Sequence, residues 1–124
     1  MIHLDANYLV RLLVPGSAQA VLVDQWLASG QLLATSAVAW TEFLNGPVAP
    51  LEIIQVEAVL ESRVLPFGKP EAVLAARLFN QTGRRRGSRF DCLIGATAIL
   101  QQAEFATANL NDFKPLTAFG LKLV

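Results

Sequence analysis

Apolar residues along this chain fall into blocks of two kinds, short continuous runs and longer stretches with helical spacing, and the two kinds alternate. Ile2 to Leu4 is a short run that ends at Asp5-Ala6-Asn7, and Tyr8 to Val14 then carries Leu9, Val10, Leu12 and Leu13 until Pro15-Gly16 breaks the pattern. A strand followed by a helix is predicted. Ser17 can cap a second helix through Ala20, Val21, Leu22, Val23, Trp26 and Leu27, closed by Gly30, and Leu32 to Thr35 is a second strand. Further helices are predicted over Ser36 to Asn45, Leu51 to Arg63 and Pro70 to Gln81, with strands at Val64 to Phe67, Glu104 to Thr107 and Leu121 to Val124. Asn109 to Phe113 reads as a turn or short helix. This alternation argues for a mostly parallel sheet covered on both faces, a three-layer α/β/α domain.

One helical stretch stands apart. From Phe90 to Leu100 the chain is almost wholly apolar or small and carries a single charge, Asp91. Such a helix belongs in an interior, where an ionised carboxylate is costly unless it is hydrogen-bonded, paired or bound to metal. Ser88 and Asp91 have the spacing of a capping box, which alone would account for the charge. A cationic neighbour is the other expectation.

At 124 residues the chain is long enough for one domain with a real core, residues 1–124, and too short for two ordinary ones. Apolar residues make up 53% and charged residues 16%, with a formal net charge of zero, which excludes a disordered tail or a generally basic nucleic-acid coat. Nucleic-acid binding would have to rest on a local patch. The one cysteine, Cys92, is expected as a small core residue and suits a reducing cytoplasm. No signal segment or membrane-length apolar run is evident, so a soluble, cytoplasmic protein without a membrane role is expected.

In an open parallel sheet a site forms at the carboxyl ends of the strands. Asp5 follows the first strand, Asn109 and Asp112 follow the fourth, Asp91 begins the helix that feeds the fourth, and Glu42 stands alone in the helix after the second. These residues are predicted to converge on one rim. Clustered carboxylates repel one another, and a hard divalent ion, Mg2+ or Mn2+, resolves the repulsion; zinc would ask for histidine or cysteine ligands, and His3 and Cys92 have no suitably spaced partners. Beside them lie Arg84, Arg85, Arg86 and Arg89, just before a helix N-terminus where the dipole disfavours positive charge. That placement suits phosphate binding better than stability, although a solvated loop would also explain it. Likewise, Asp5 can serve as a helix cap and Glu42 as a solvent-facing helix residue. Glu52, Glu57 and Glu61 read as an ordinary solvated face.

Asp5-Ala6-Asn7, Thr41-Glu42-Phe43-Leu44-Asn45-Gly46, Phe90 to Ala98 and Thr107 to Phe113, in this order, resemble the PIN-domain family, and more closely the VapC toxins of toxin–antitoxin pairs. The resemblance spans essentially the whole chain. It implies a Mg2+- or Mn2+-dependent endoribonuclease, usually dimeric, that cuts RNA and is held inactive by a small VapB-type antitoxin. Asp5, Glu42 and Asp91 match the family's three central acidic positions. Asp112 matches a further acidic position and Asn7 and Thr107 match polar ones. Asn109 departs from the pattern, since many relatives carry aspartate there, which puts a second metal ion in question. On this resemblance Asp5, Glu42, Asp91 and Asp112 are the metal-binding set, Asn109 joins them in catalysis, and Asn7 and Thr107 contact substrate; Arg84, Arg85, Arg86 and Arg89 are expected to contact it too, from their placement alone.

Two other readings compete. Asn109 and the zero net charge would also suit a PIN-like module that binds RNA or protein with little catalysis. An aspartyl-phosphate phosphatase or receiver-like domain also places carboxylates on this rim, but it would need an aspartate where Asn7 stands and a lysine after a late strand, and Lys114 lies between Phe113 and Pro115.

Overall fold

The computed structural model describes residues 1–124. Five short strands, β1 (Ile2–Leu4), β2 (Leu33–Ser36), β3 (Val64–Leu65), β4 (Glu104–Ala106) and β5 (Lys122–Leu123), form one sheet in the order β3-β2-β1-β4-β5. Every pairing is parallel, as the alternation predicts. Helices α1 (Ala6–Arg11), α2 (Ala18–Ala28), α3 (Ala37–Asn45), α4 (Pro50–Leu60), α5 (Lys69–Gln81), α6 (Arg89–Leu100) and α7 (Leu110–Phe113) connect them, and a 3-10 helix spans Lys114–Phe119.

Burial on both faces of the sheet makes this a three-layer α/β/α domain. One core cluster joins Ile2, Leu4 and Leu33 of the strands to Leu9, Val23 and Phe43 of the helices. The other joins Phe105 to Leu78, Ile94, Ala96, Phe113 and Leu116. Cys92 is buried in the second cluster, as expected for a small core residue. Small residues let α6 lie close to its neighbours: a Cβ on Gly95 would stand 2.6 Å from Leu116 Cδ1. No helix is long and apolar enough to cross a membrane.

Most predicted elements recur with shifted ends, and each shift has a local cause. The first helix starts at Ala6 because Asp5 is its cap, and it stops at Arg11, before Val14. Ser17 caps α2 as predicted, accepting the Ala20 amide at 3.0 Å. Ser36 ends β2 and caps α3. The helix expected to reach Arg63 ends at Leu60, because Glu61 and Ser62 take left-handed conformations, φ 48° and 60°. Arg63 is thereby released to donate Nε to the Leu33 carbonyl at 2.8 Å. The third strand closes at Leu65, before Pro66, which has no amide to donate. The last strand is shorter than Leu121 to Val124, and the 3-10 segment before it was not expected from the pattern.

Candidate active site on the carboxyl rim

The strand order reverses at β1, which pairs with β2 on one side and β4 on the other. Such a switch point opens a crevice beyond the strand ends. Asp5 and Thr107 are the first residues past β1 and β4, whose last residues, Leu4 and Ala106, are register partners. The two side chains therefore meet: Thr107 Oγ1 donates to Asp5 Oδ2 at 2.7 Å. The Ala6 amide donates to Oδ1 at 2.8 Å and Asn7 Nδ2 to Oδ2 at 3.1 Å. Asp5, 4% exposed, is thus both helix cap and rim carboxylate, so its two readings coexist.

Asn7 and Thr107, expected as substrate contacts, direct their polar atoms to Asp5 and to the loop after β4. Asn7 Oδ1 accepts the Ala108 amide at 3.1 Å, and Thr107 Oγ1 accepts the Asn109 amide at 3.0 Å. Asn109 is exposed beside this network, and its side chain makes no capping bond to α7.

The capping box at the start of α6 does not form. Ser88 already has near-helical angles, φ −91° and ψ 0°, and its hydroxyl donates to the Arg85 carbonyl at 2.8 Å instead. Asp91 is half-buried in the first turn of α6 with its charge uncompensated by a cap. Burial, then the charges of Asp112, Asp5 and Glu42, push its pKa up to about 6, and Arg85 alone pulls the other way. Arg85 lines the same cleft as Asp91 but forms no ion pair with it. Burial, against its hydrogen bonds, leaves the Asp5 pKa raised, with the charge of Asp112 adding to the rise. Glu42, exposed in α3, is raised by partial burial of its carboxyl and then by Asp5. The charges of Asp112, Asp5 and Glu42 all reach Asp91, the point on which the acidic residues were expected to converge, at distances longer than direct ligation of one ion requires.

A polar cleft of 160 Å³ joins two of these carboxylates to the arginine loop, lined by Arg85, Arg86, Gly87, Ser88, Asp91 and Asp112. The arginines divide. Arg85 and Arg86 face the carboxylates, whereas Arg84 and Arg89 lie over the Phe79 ring, at 5.5 and 4.7 Å from its centroid, and Arg84 also donates to Asn80 Oδ1 at 2.7 Å. Nothing in the run Arg84 to Arg89 distinguishes them; the signal is Phe79, two residues before the end of α5.

No three histidine, cysteine, aspartate or glutamate side chains stand close enough to form a ready-made metal cage. The donor set fits a hard, hydrated cation held by a few carboxylates, the manner in which Mg2+ binds. Oxygen donors with raised proton affinity and one opposing arginine are the chemistry such an ion satisfies.

A doubly covered parallel sheet with an acidic switch-point rim defines a class of α/β domain. Within that class the chain belongs to the PIN domain family, whose model matches residues 2–116. No curated protein matches it in sequence. Among solved structures it is similar to a toxin–antitoxin complex from Klebsiella pneumoniae, at 20% identity and a TM-score of 0.76 over 100% of this chain and 96% of that one. It is similar to VapBC2 from Rickettsia felis bound to a promoter DNA fragment, at 24% identity and a TM-score of 0.70 over 100% and 98%. FitAcB from Neisseria gonorrhoeae gives 20% identity and 0.73 over 99% and 96%. These likenesses establish the shared fold.

Proposed function

We propose that this protein is a metal-dependent endoribonuclease and the toxin of a VapBC-type pair. The observation that carries the reading is Asp91, which shares a polar cleft with Asp112, Arg85 and Arg86 and also feels the charges of Asp5 and Glu42. Membership of the PIN family supports a nuclease, and the toxin–antitoxin neighbours support a VapB-type antitoxin partner. In line with the resemblance, the working form is a homodimer in the cytoplasm.

When bound, Mg2+ or Mn2+ supplies the positive charge that acidifies the attacking water and offsets charge on the scissile phosphate. Asp5 and Asp91 would hold the ion, with Asp112 as a further oxygen donor. Asp5 is oriented by Thr107 and Asn7 at Oδ2 and by the Ala6 amide at Oδ1. Glu42, whose raised pKa makes it a better proton acceptor than an ordinary carboxylate, takes the proton from water. Arg85 and Arg86 hold the phosphates flanking the cut, and the Asn109 amide contributes a neutral polar group where many relatives have a charge.

Incubating purified protein with a mixed cellular RNA pool under Mg2+, Mn2+ or chelator, beside folded Asp5→Asn and Asp91→Asn variants, tests the reading. Metal-dependent cuts that vanish in both variants are expected. Equal absence of cuts in wild type and variants, with RNA still bound, would replace the nuclease with a binding module.

A further inference from the structure

Phe90 is the one exposed aromatic side chain in the chain, 61% exposed. Other aromatics have partners: Tyr8 stacks on Trp26, Trp40 packs on Phe43, Phe105 on Phe113, and Phe79 lies under two arginines. Phe67 and Phe119 pack against the core. Phe90 instead borders a recess of 450 Å³ with Val38, Thr41, Glu42, Asn45 and Leu93. That volume lies within the roughly 300–1,000 Å³ of small-molecule sites. The recess has an apolar floor, an exposed ring at one edge and an amide, Asn45, that makes no hydrogen bond within the chain.

Its position ties it to the acidic rim. Glu42 belongs to the recess, and Phe90 is the chain neighbour of Asp91, which lines the arginine cleft. A polynucleotide whose phosphate lies against Arg85 and Arg86 carries a neutral, flat base within a few ångströms of that phosphate. A flat ring beside carboxylates suits such a neutral group, and repels an acidic one. Resting on the nuclease reading above, we propose that an unpaired nucleobase next to the scissile phosphate stacks on Phe90 and presents its edge to Asn45. Stacking requires a base freed from a duplex, so the substrate is single-stranded RNA or a loop. Asn45, with one acceptor and two donors on its amide, can pair with the adjacent donor and acceptor on the edge of an unpaired base.

The test uses short single-stranded oligoribonucleotides with 2-aminopurine placed at each position in turn, added to the full-length protein with Ca2+ in place of Mg2+. Cleavage with Mg2+ is followed in parallel. Wild type is expected to quench one position; Phe90→Leu loses the quench and weakens RNA binding about five- to a hundredfold, while Phe90→Trp retains both. In cleavage, Phe90→Leu raises KM with kcat little changed, and Asn45→Ala relaxes the preference for the base at the quenched position. Both residues are exposed, and a thermal melt checks that each variant is folded. Cleavage by wild type with no quenched position, or with Phe90→Leu equal to wild type in binding and KM, overturns the stacking site and leaves the nuclease standing. No cleavage and no RNA binding by wild type removes both. Conversion of a dimer to a monomer by Phe90→Leu, measured by sedimentation, would make Phe90 a contact between copies and also overturn the proposal.

Discussion

At Asp91 the fold holds a carboxylate in a position that its own stability does not favour. Its pKa, near 6 when folded, lies above the ordinary aspartate value of 3.8. The folded state therefore binds this proton more tightly than the unfolded chain does, and the resulting stability is present below pH 3.8 and lost as pH rises through 6. Asp91→Asn is accordingly expected to raise the melting temperature in chelator at pH 7.5, with little difference near pH 3.5, while abolishing cleavage. A melt series on both proteins reads this directly, and a lower melting temperature for the variant at pH 7.5 would show that the charge is compensated. Thr107→Val removes a buried hydroxyl that donates to Asp5 at 2.7 Å. Hydrogen bonds to charged groups are worth about 1.5–3 kcal/mol, so urea unfolding should show a loss of that size, with cleavage reduced because Asp5 is no longer fixed.

His3 titrates with the opposite sign. Buried in β1 with Nε2 unpartnered, it has its pKa lowered to about 4 by burial and by the positive amino terminus. Its stability contribution is full above pH 6.5 and is lost as pH falls toward 4, on the order of 3 kcal/mol in all. His3→Phe, which needs no hydrogen-bond partner, should flatten the acid limb of the stability profile. An unchanged limb would place the acid sensitivity elsewhere.

Among the elements, α6 bears the most constraint, since it presents Asp91 at its start and packs along its length against α5 and the 3-10 segment. Gly95 allows that approach. Gly95→Ala would push a methyl against Leu116, and overpacking of this kind costs about 1–3 kcal/mol. A lowered melting temperature is expected, and Leu116→Ala should cost less stability in the Gly95→Ala chain than it does in the wild type, because it removes the clash. These contacts also show where sequence patterns suffice and where they stop. The β-α alternation, Ser17 and Ser36 at helix starts, and the placement of Asp5 and Asp91 on one rim follow from local spacing. The failed cap at Ser88 does not, because it depends on backbone angles already helical at that residue. The early stop of α4 at two left-handed non-glycine residues is likewise invisible to hydrophobic spacing.

Across the whole molecule, the site exists because the strand order reverses at β1 and brings the ends of β1 and β4 side by side. Its acidic members come from chain segments far apart, and their order along the sequence is what made the PIN family legible. The division of the arginines was not legible, since it is decided by Phe79 from a separate helix. Arg85→Ala should therefore weaken RNA cleavage more than Arg84→Ala, and the latter should instead lower stability through lost packing on Phe79. Comparable loss of cleavage in both, with stability unchanged, would mean that the four arginines act as one patch.

The central claim is that the carboxylate rim is a site for a divalent cation. Mn2+ titrated into the protein calorimetrically at pH 6, in two buffers of different ionisation enthalpy, tests it most directly. Saturable binding with proton release is predicted, because Asp91 is about half protonated at that pH, and both signals should be lost in Asp91→Asn. Folded wild-type protein that takes up no Mn2+ and releases no proton would contradict the account.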